Sequence, residues 1–417
     1  MDRVTQRRIL CAFRTPATRS RHAKGQTAAV SLPIDDTLFL MRSLIGFPTV
    51  SQDSNLDMIA YLATRLEASG ARVEIMHDAG GNKANLFATL GPEGDGGIVL
   101  SGHSDVVPVA DQVWATDPFA MHEQDGRLYG RGSCDMKGFI AATIAMAPAF
   151  AQRIGNRPLH FSFTYDEETG CVGARDLAQV LTARGLKPSV ALIGEPTMMR
   201  VIEGHKGCCE YSTHFTGLAG HGSGPDRGVN AVEYAARFVA RLLALKDTLR
   251  ARAPQGSRFD PPWTTINTGA LIGGVAHNVI PSTAQVDWEM RPVQHSDFAL
   301  VKEDLHHYCT DILLPAMRAV YPEAGIHTET IGEVEGLIPA EVSEARDIMM
   351  ELTGANGADV VPFGTEAGIF QSMGMSAILC GPGSIEQAHK ADEFVTMDQM
   401  VQCLEMLDRL SLKLAAA

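Results

Sequence analysis

The sequence predicts an α/β chain with a mostly parallel or mixed sheet, interrupted by an inserted α+β unit of ferredoxin-like order. Three observations predict this. Short apolar runs alternate with helical stretches up to residue 199, the rhythm of a sheet with crossover helices. Between residues 200 and 334 the order becomes β-α-β-β-α-β, a ferredoxin-like unit. From residue 335 the alternation resumes. The expected divisions are therefore a tail at 1–31, a main domain in two parts at 32–199 and 335–417, and an insertion at 200–334. A length of 417 residues accommodates this plan.

The elements follow in order. From Asp35 on, the first element expected is a helix over 56–69, ended by Gly70, a residue tolerant of the left-handed turn that closes helices. Strands are expected at 73–76, 86–90 and 98–100, then a helix from Lys137, a buried strand at 159–165, a helix at 172–183 and a strand at 190–193. The insertion reads as strand 207–216, helix 230–245, strands 264–271 and 284–290, one helix over 297–317 and strand 326–331. Helices at 340–352 and 366–372, a strand at 376–379 and a final helix from Met397 complete the pattern.

Composition excludes several classes of function. The net charge is −14, and phosphate contacts need a basic surface, so nucleic acid is not an expected partner. The longest apolar stretch, 139–151, contains Pro148 and is too short to cross a bilayer. Residues 1–25 hold seven basic residues and one acid. That segment has no apolar core and is not a secretory signal. It reads as a tail outside the fold from an upstream or mis-assigned start, with an organelle transit sequence as the alternative. The 8 cysteines form no CxxC pair, which points to reduced thiols in the cytoplasm.

Residues suited to metal or proton chemistry stand just after the expected strands: His103 and Asp105, Asp135 ahead of a helix, Asp166-Glu167-Glu168, Glu195 and His389. Ligands of open α/β sheets bind beyond the carboxyl ends of strands. Two histidines and three carboxylates suit two divalent ions of the zinc kind, and one carboxylate can bridge two such ions. Taken singly, His103 is a hydrogen-bonded structural histidine, Asp135 a helix cap, the acid triplet a solvated turn and Glu195 a strand exit. Their joint placement favours a metal site. Asp105 lies two residues beyond His103 on an extended segment and so points to the same side.

The stretches Gly102-His103-Ser104-Asp105, Tyr129 to Gly138, Asp166-Glu167-Glu168 and Gly194-Glu195-Pro196-Thr197 resemble, in order, the motifs of the cocatalytic zinc amidohydrolases. The likeness runs from about residue 32 to the C-terminus. It implies two Zn2+ per chain, with Co2+ a substitute. His103 and Glu195 would hold one ion, Glu168 and His389 the other, and Asp135 would bridge them, with a cis peptide following it. Asp105 would orient the imidazole and Glu167 would be the general base. His221 would serve the partner subunit's site, making the chain a homodimer joined through the insertion. The implied substrate is a small N-acylated amino acid, its carboxylate on Arg291 and a polar contact from Asn278. Phe363 to Ala367 and Gly381 to His389 resemble the family's deacetylases more than its desuccinylases. A homologue that binds without turnover is the competing class, and the presence of Glu167 weighs against it.

Overall fold

In the computed structural model, residues 32–416 are described. The basic segment at the start, and every expectation placed on it, lies outside them.

In chain order the first part holds α1 (Ile34–Ile45), α2 (Leu56–Ala68), β1 (Arg72–His77), β2 (Ala84–Leu90), β3 (Ile98–His103), β4 (His122–Gln124), β5 (Arg127–Tyr129), α3 (Lys137–Arg153), β6 (Leu159–Thr164), α4 (Val172–Ala183), β7 (Val190–Pro196) and β8 (Ile202–His205). The insertion holds β9 (Cys208–Thr216), β10 (Gly220–His221), α5 (Ala231–Ala251), β11 (Thr265–Gly273), β12 (Val279–Ile280), β13 (Thr283–Arg291), α6 (His295–His307), α7 (Leu314–Arg318) and β14 (Gly325–Val334). The chain then returns through α8 (Glu344–Thr353), β15 (Asp359–Val361), α9 (Ala367–Ser372), β16 (Ser376–Gly381), β17 (Phe394–Thr396) and α10 (Met397–Ala415).

Eight strands make the main sheet, in the order β1-β2-β6-β3-β7-β16-β8-β15. Its centre, β6-β3-β7-β16, is parallel. β1 and β2 are joined by a short turn and pair antiparallel, as strands without a crossover must. Alternate residues of the central strands enter different cores. Ile98 and Leu100 join the cluster under α1, α2, α3, α8 and α10, whereas Val99, Ala191 and Ile193 join one that includes α9 residues. The period of two therefore builds a sheet covered on both faces. α3 is buried on nearly every side, from Phe139 through Phe150, which matches its uniformly apolar sequence.

The inserted sheet is antiparallel, in the order β11-β13-β9-β14. α5 and α6 cover the face bearing Tyr211, Phe215, Val286 and Trp288, forming a separate core. Two segments join the sheets, at residues 206–207 and 335–336. They pass so closely that a Cβ on Gly336 would lie 2.8 Å from the Gly207 nitrogen, which explains glycine at that crossing.

The fold class is the one expected, with two corrections of detail. The single helix expected over 297–317 is divided. α6 ends at His307, a wider turn follows over Tyr308–Leu313, and α7 begins with Pro315 in its first turn. Proline has no N–H for the preceding turn. The pattern also missed the helix α1 and the strands β4, β5, β8, β10, β12, β15 and β17, the strands being two to four residues long and too short for a period of two to show.

Candidate metal centre

The acids and histidines come together beyond the carboxyl ends of the central strands. β3 ends on His103, β7 carries Glu195, the acid triplet follows β6, and His389 follows β16. Two groups of potential ligands result. His103, Asp135 and Glu195 form one, and Asp135, Glu168 and His389 the other, with donor atoms within 4.8 Å of one another in each. Asp135 belongs to both. His103 Nε2 lies 2.9 Å from Asp135 Oδ1, and His389 Nε2 lies 3.0 Å from the Glu168 carboxylate.

Glu393, which the sequence did not single out, shapes the loop carrying Asp135. Its buried carboxylate accepts the N–H groups of Gly132, Cys134 and Asp135 at 3.1, 2.8 and 3.0 Å and pairs with Arg131 at 2.6 Å. The peptide after Asp135 is cis. In sequence Glu393 stands between Asp392 and Phe394 and reads as a surface acid, so no local signal marks it.

The three consecutive acids take three different partners. Asp166 pairs with Lys83 at 2.5 Å. Glu168 faces His389. Glu167 turns toward the cluster and accepts from the Cys171 thiol at 3.5 Å. The turn is held by Asp105, whose carboxylate accepts the N–H groups of Glu167 and Glu168 at 3.1 and 3.3 Å and the Ser51 hydroxyl at 2.8 Å. His103 Nδ1 meets the Asp105 main-chain carbonyl at 2.9 Å, while the Asp105 carboxylate stands 3.6 Å away. Asp105 thus touches both the imidazole and the acid turn. Asp166, Cys171 and His389 adopt φ of 52°, 54° and 62°, left-handed conformations that cost about 1–3 kcal/mol each and gather at functional sites.

The electrostatics are those of crowded anions. Burial, then the nearby Glu168, Asp135 and Asp105 charges, push the Glu167 pKa well above the usual carboxylate range, against the pull of His103. Burial and the Asp135 and Glu167 charges do the same to Glu195. Burial opposes ionisation of Asp105, but its bonds from His103 and Ser51 outweigh that and hold it low. Beneath the cluster a further buried acid, Glu366, accepts the hydroxyls of Ser101 and Thr164 at 2.5 and 2.8 Å. Glu195 Oε1 is buried with no hydrogen-bond partner. An orphaned carboxylate oxygen costs free energy, and a cation would complete it. Mixed imidazole and carboxylate donors suit divalent ions of the zinc kind, so the residues present fit the expected metal.

Three expected site residues stand apart from these groups. His221 is exposed, its Nδ1 2.8 Å from Ser223 Oγ. Asn278 lies beside it across the short β10–β12 ladder, its carbonyl accepting the Gly222 N–H at 2.7 Å. Arg291, at the end of β13, is paired with Glu289 at 2.9 Å. None of the three belongs to either ligand group.

Residues 99–413 match the model of peptidase family M20/M25/M40. Among curated relatives, acetylornithine deacetylase of Myxococcus xanthus is 36% identical over 392 residues, covering 90% of this chain and 98% of that protein. The acetylornithine deacetylase of Edwardsiella ictaluri is 36% identical, with 89% and 96% covered. Among solved structures, an M20 family metallo-carboxypeptidase from Sulfolobus solfataricus superposes with a TM-score of 0.70 at 15% identity, covering 92% of this chain and 100% of that one. A dinuclear metal-binding M20 peptidase from Bacillus subtilis superposes at 0.62 with 16% identity, covering 92% and 99%.

Proposed function

The chain belongs to peptidase family M20/M25/M40 and is a metal-dependent hydrolase, and on that premise we propose that it removes acetyl from N2-acetyl-L-ornithine, giving L-ornithine and acetate, a reaction of arginine biosynthesis. The observation that carries the chemistry is the pair of ligand groups sharing Asp135, with Glu195 Oε1 buried and unpartnered. The choice of substrate rests on the two curated deacetylases, alike over nine-tenths of the chain.

In this reading His103 and Glu195 would hold one Zn2+, Glu168 and His389 would hold the other, and Asp135 would serve both. Such ions would supply Lewis acidity, lowering the pKa of water and polarising the amide carbonyl. Glu167 takes the proton of the attacking water and returns it to the leaving amine. Asp105 keeps Glu167 and Glu168 in place through their N–H groups. Arg291 receives the substrate carboxylate in a bidentate pair, exchanging it for Glu289, and Asn278 makes a polar contact.

We assign residues 200–334 as a lid and dimerisation domain, and His221 to the site of the partner subunit, where its imidazole meets the carbonyl oxygen. The exposure of His221 and its distance in fold from the ligand groups support that assignment. The protein is proposed to act in the cytoplasm. Seven cysteines among the described residues are free, in keeping with a reducing compartment. No helix among the described residues is long and apolar enough to cross a membrane.

Acetate release by the purified, zinc-loaded protein tests the reading against acetyl-, formyl- and succinyl-amino acids. Preference for N2-acetyl-ornithine is expected. Preferential cleavage of a succinyl or formyl substrate overturns the substrate but keeps the chemistry. Zinc binding without turnover of any of them points to the non-catalytic homologue.

A further inference from the structure

A cavity of about 630 Å³ opens where the inserted domain meets the main sheet. No candidate metal ligand lines it. α4 and α9 supply one wall, and residues 292–295 with the end of β14 supply the other. The start of β9 stands between this space and the metal cluster. Cys209 lines the cavity, whereas its neighbour Cys208 lies in the field of Arg291 and Glu167, because successive strand residues point to opposite faces. The volume is that of a small-molecule site, roughly 300–1,000 Å³.

The lining is of two kinds. Pro292, Val293, Val334 and Ile369 are buried and make an apolar floor. Arg175 and the exposed Glu335 add one unpaired charge of each sign, since the other lining carboxylate, Glu333, is paired with Lys302 at 2.6 Å. Arg175 donates to the Glu333 carbonyl at 3.0 Å, and among the described residues neither Arg175 nor Glu335 has an ion-pair partner. A cation, an anion and an apolar surface in one cavity match a zwitterion with an apolar side chain. We propose that this cavity is a second ligand site that takes a free α-amino acid of that kind, its carboxylate on Arg175 and its ammonium on Glu335, and that occupancy alters hydrolysis at the metal centre.

The route to the metal centre is short. Cys171, Ala174, Val334 and Ile369 form one small core between the cavity and the acid turn, and Cys171 touches Glu167. Glu335 itself belongs to one of the two segments joining the sheets. A molecule wedged between α4 and β14 therefore bears on the position of Glu167 and on the setting of the inserted domain.

Calorimetric titration of the zinc-loaded protein with L-leucine tests this, alongside 3-methylbutylamine and 4-methylpentanoate, which each lack one of its charges. Leucine is expected to bind, and each analogue to bind about tenfold more weakly, the loss of one charge-assisted contact. Arg175→Gln and Glu335→Gln should weaken leucine to a similar degree. Ala178→Trp, which fills the cavity, should abolish binding. Leucine should change kcat/KM in the wild type and not in Ala178→Trp. Leucine that fails to bind overturns the proposal. Binding that survives both Ala178→Trp and Glu335→Gln belongs to the metal cleft and overturns it equally. Glu335 is exposed, so its variant retains the fold if Ala178→Trp does not. The titration has no need of acetyl-ornithine turnover, so failure of the proposed substrate leaves it readable.

Discussion

In one candidate ligand group, His103, Asp135 and Glu195, every residue is buried, whereas in the other, Asp135, Glu168 and His389, the imidazole side chain is 49% exposed. The difference follows from what carries each ligand. His103 and Glu195 sit on β3 and β7, inside a sheet with neighbours on both sides. Glu168 and His389 sit on turns, held by single contacts such as the Glu168 N–H to Asp105 and the His389 carbonyl to Gln112 at 2.8 Å. A strand end is fixed by its ladder, while a turn opens at lower cost. One ligand group is therefore built in by the fold, and the other is held less tightly, on exposed turns. Partners, more than burial, set the imidazole charge: burial opposes protonation of His103, yet its bonds to Asp105 and Asp135 hold its pKa well above the usual range. Bonds to Asp135 and Glu168 raise the His389 pKa to about 10, while burial lowers that of His160, in the middle of the sheet, to about 4.

The largest effect is expected at the shared residue. Asp135→Ala should lose both metals and all activity, because one carboxylate serves both groups, and metal analysis after dialysis measures it. Two retained ions per chain in that variant would remove the bridge and with it the division into two halves.

Next in size, Glu167→Gln should lower kcat by about 10²–10⁴, the usual contribution of a general base, with metal content unchanged. If the variant instead loses one ion and its metallated fraction stays active, Glu167 and Glu168 have exchanged roles.

Mixing inactive His221→Ala with inactive Glu167→Ala protein probes a residue that lies in neither half. A heterodimer then has one site with both defects and one with neither, so about half the wild-type activity per heterodimer should return. Exchange of subunits without recovery places His221 within its own chain's chemistry or outside it.

The two halves should also separate under a chelator. Metal loss is expected in two phases, the exposed His389 side first, and His389→Ala should lose the fast phase alone. A single phase in the wild type would make the difference in burial irrelevant to exchange.

The smallest effect lies away from the metals. His160 is buried, with Nε2 unpartnered and Nδ1 2.9 Å from Thr89 Oγ1. Its folded pKa is depressed to about 4 from 6.5, so between those values the unfolded chain holds the extra proton. The stability it contributes is present above pH 6.5 and is lost as pH falls toward 4, by at most about 1.4 kcal/mol per pH unit. Replacing it by Gln should flatten the fall in urea midpoint from pH 7 to pH 5. An unchanged slope would mean that His160 stays neutral in both states or takes its proton while folded.

The sequence by itself determined the fold class, most of the element order and the acids and histidines that the fold gathers into two candidate ligand groups. Apolar runs set the strands, and His103 and Glu195 stand at strand ends with Asp135, Glu168 and His389 on the segments that follow strands, where an open sheet presents its ligand edge. Local pattern suffices there because strand period and strand end are local properties. Tertiary structure alone decided what surrounds those residues. Glu393 and Glu366 look like surface acids in sequence, yet one is buried under the Asp135 loop and the other under β3 and β6. Their donors lie over 200 residues away along the chain, and only folding brings such partners together. The same holds for the acid triplet. Its three acids have nearly the same chemistry, and Lys83 and His389, distant along the chain, with Cys171 four residues on, give each a different partner.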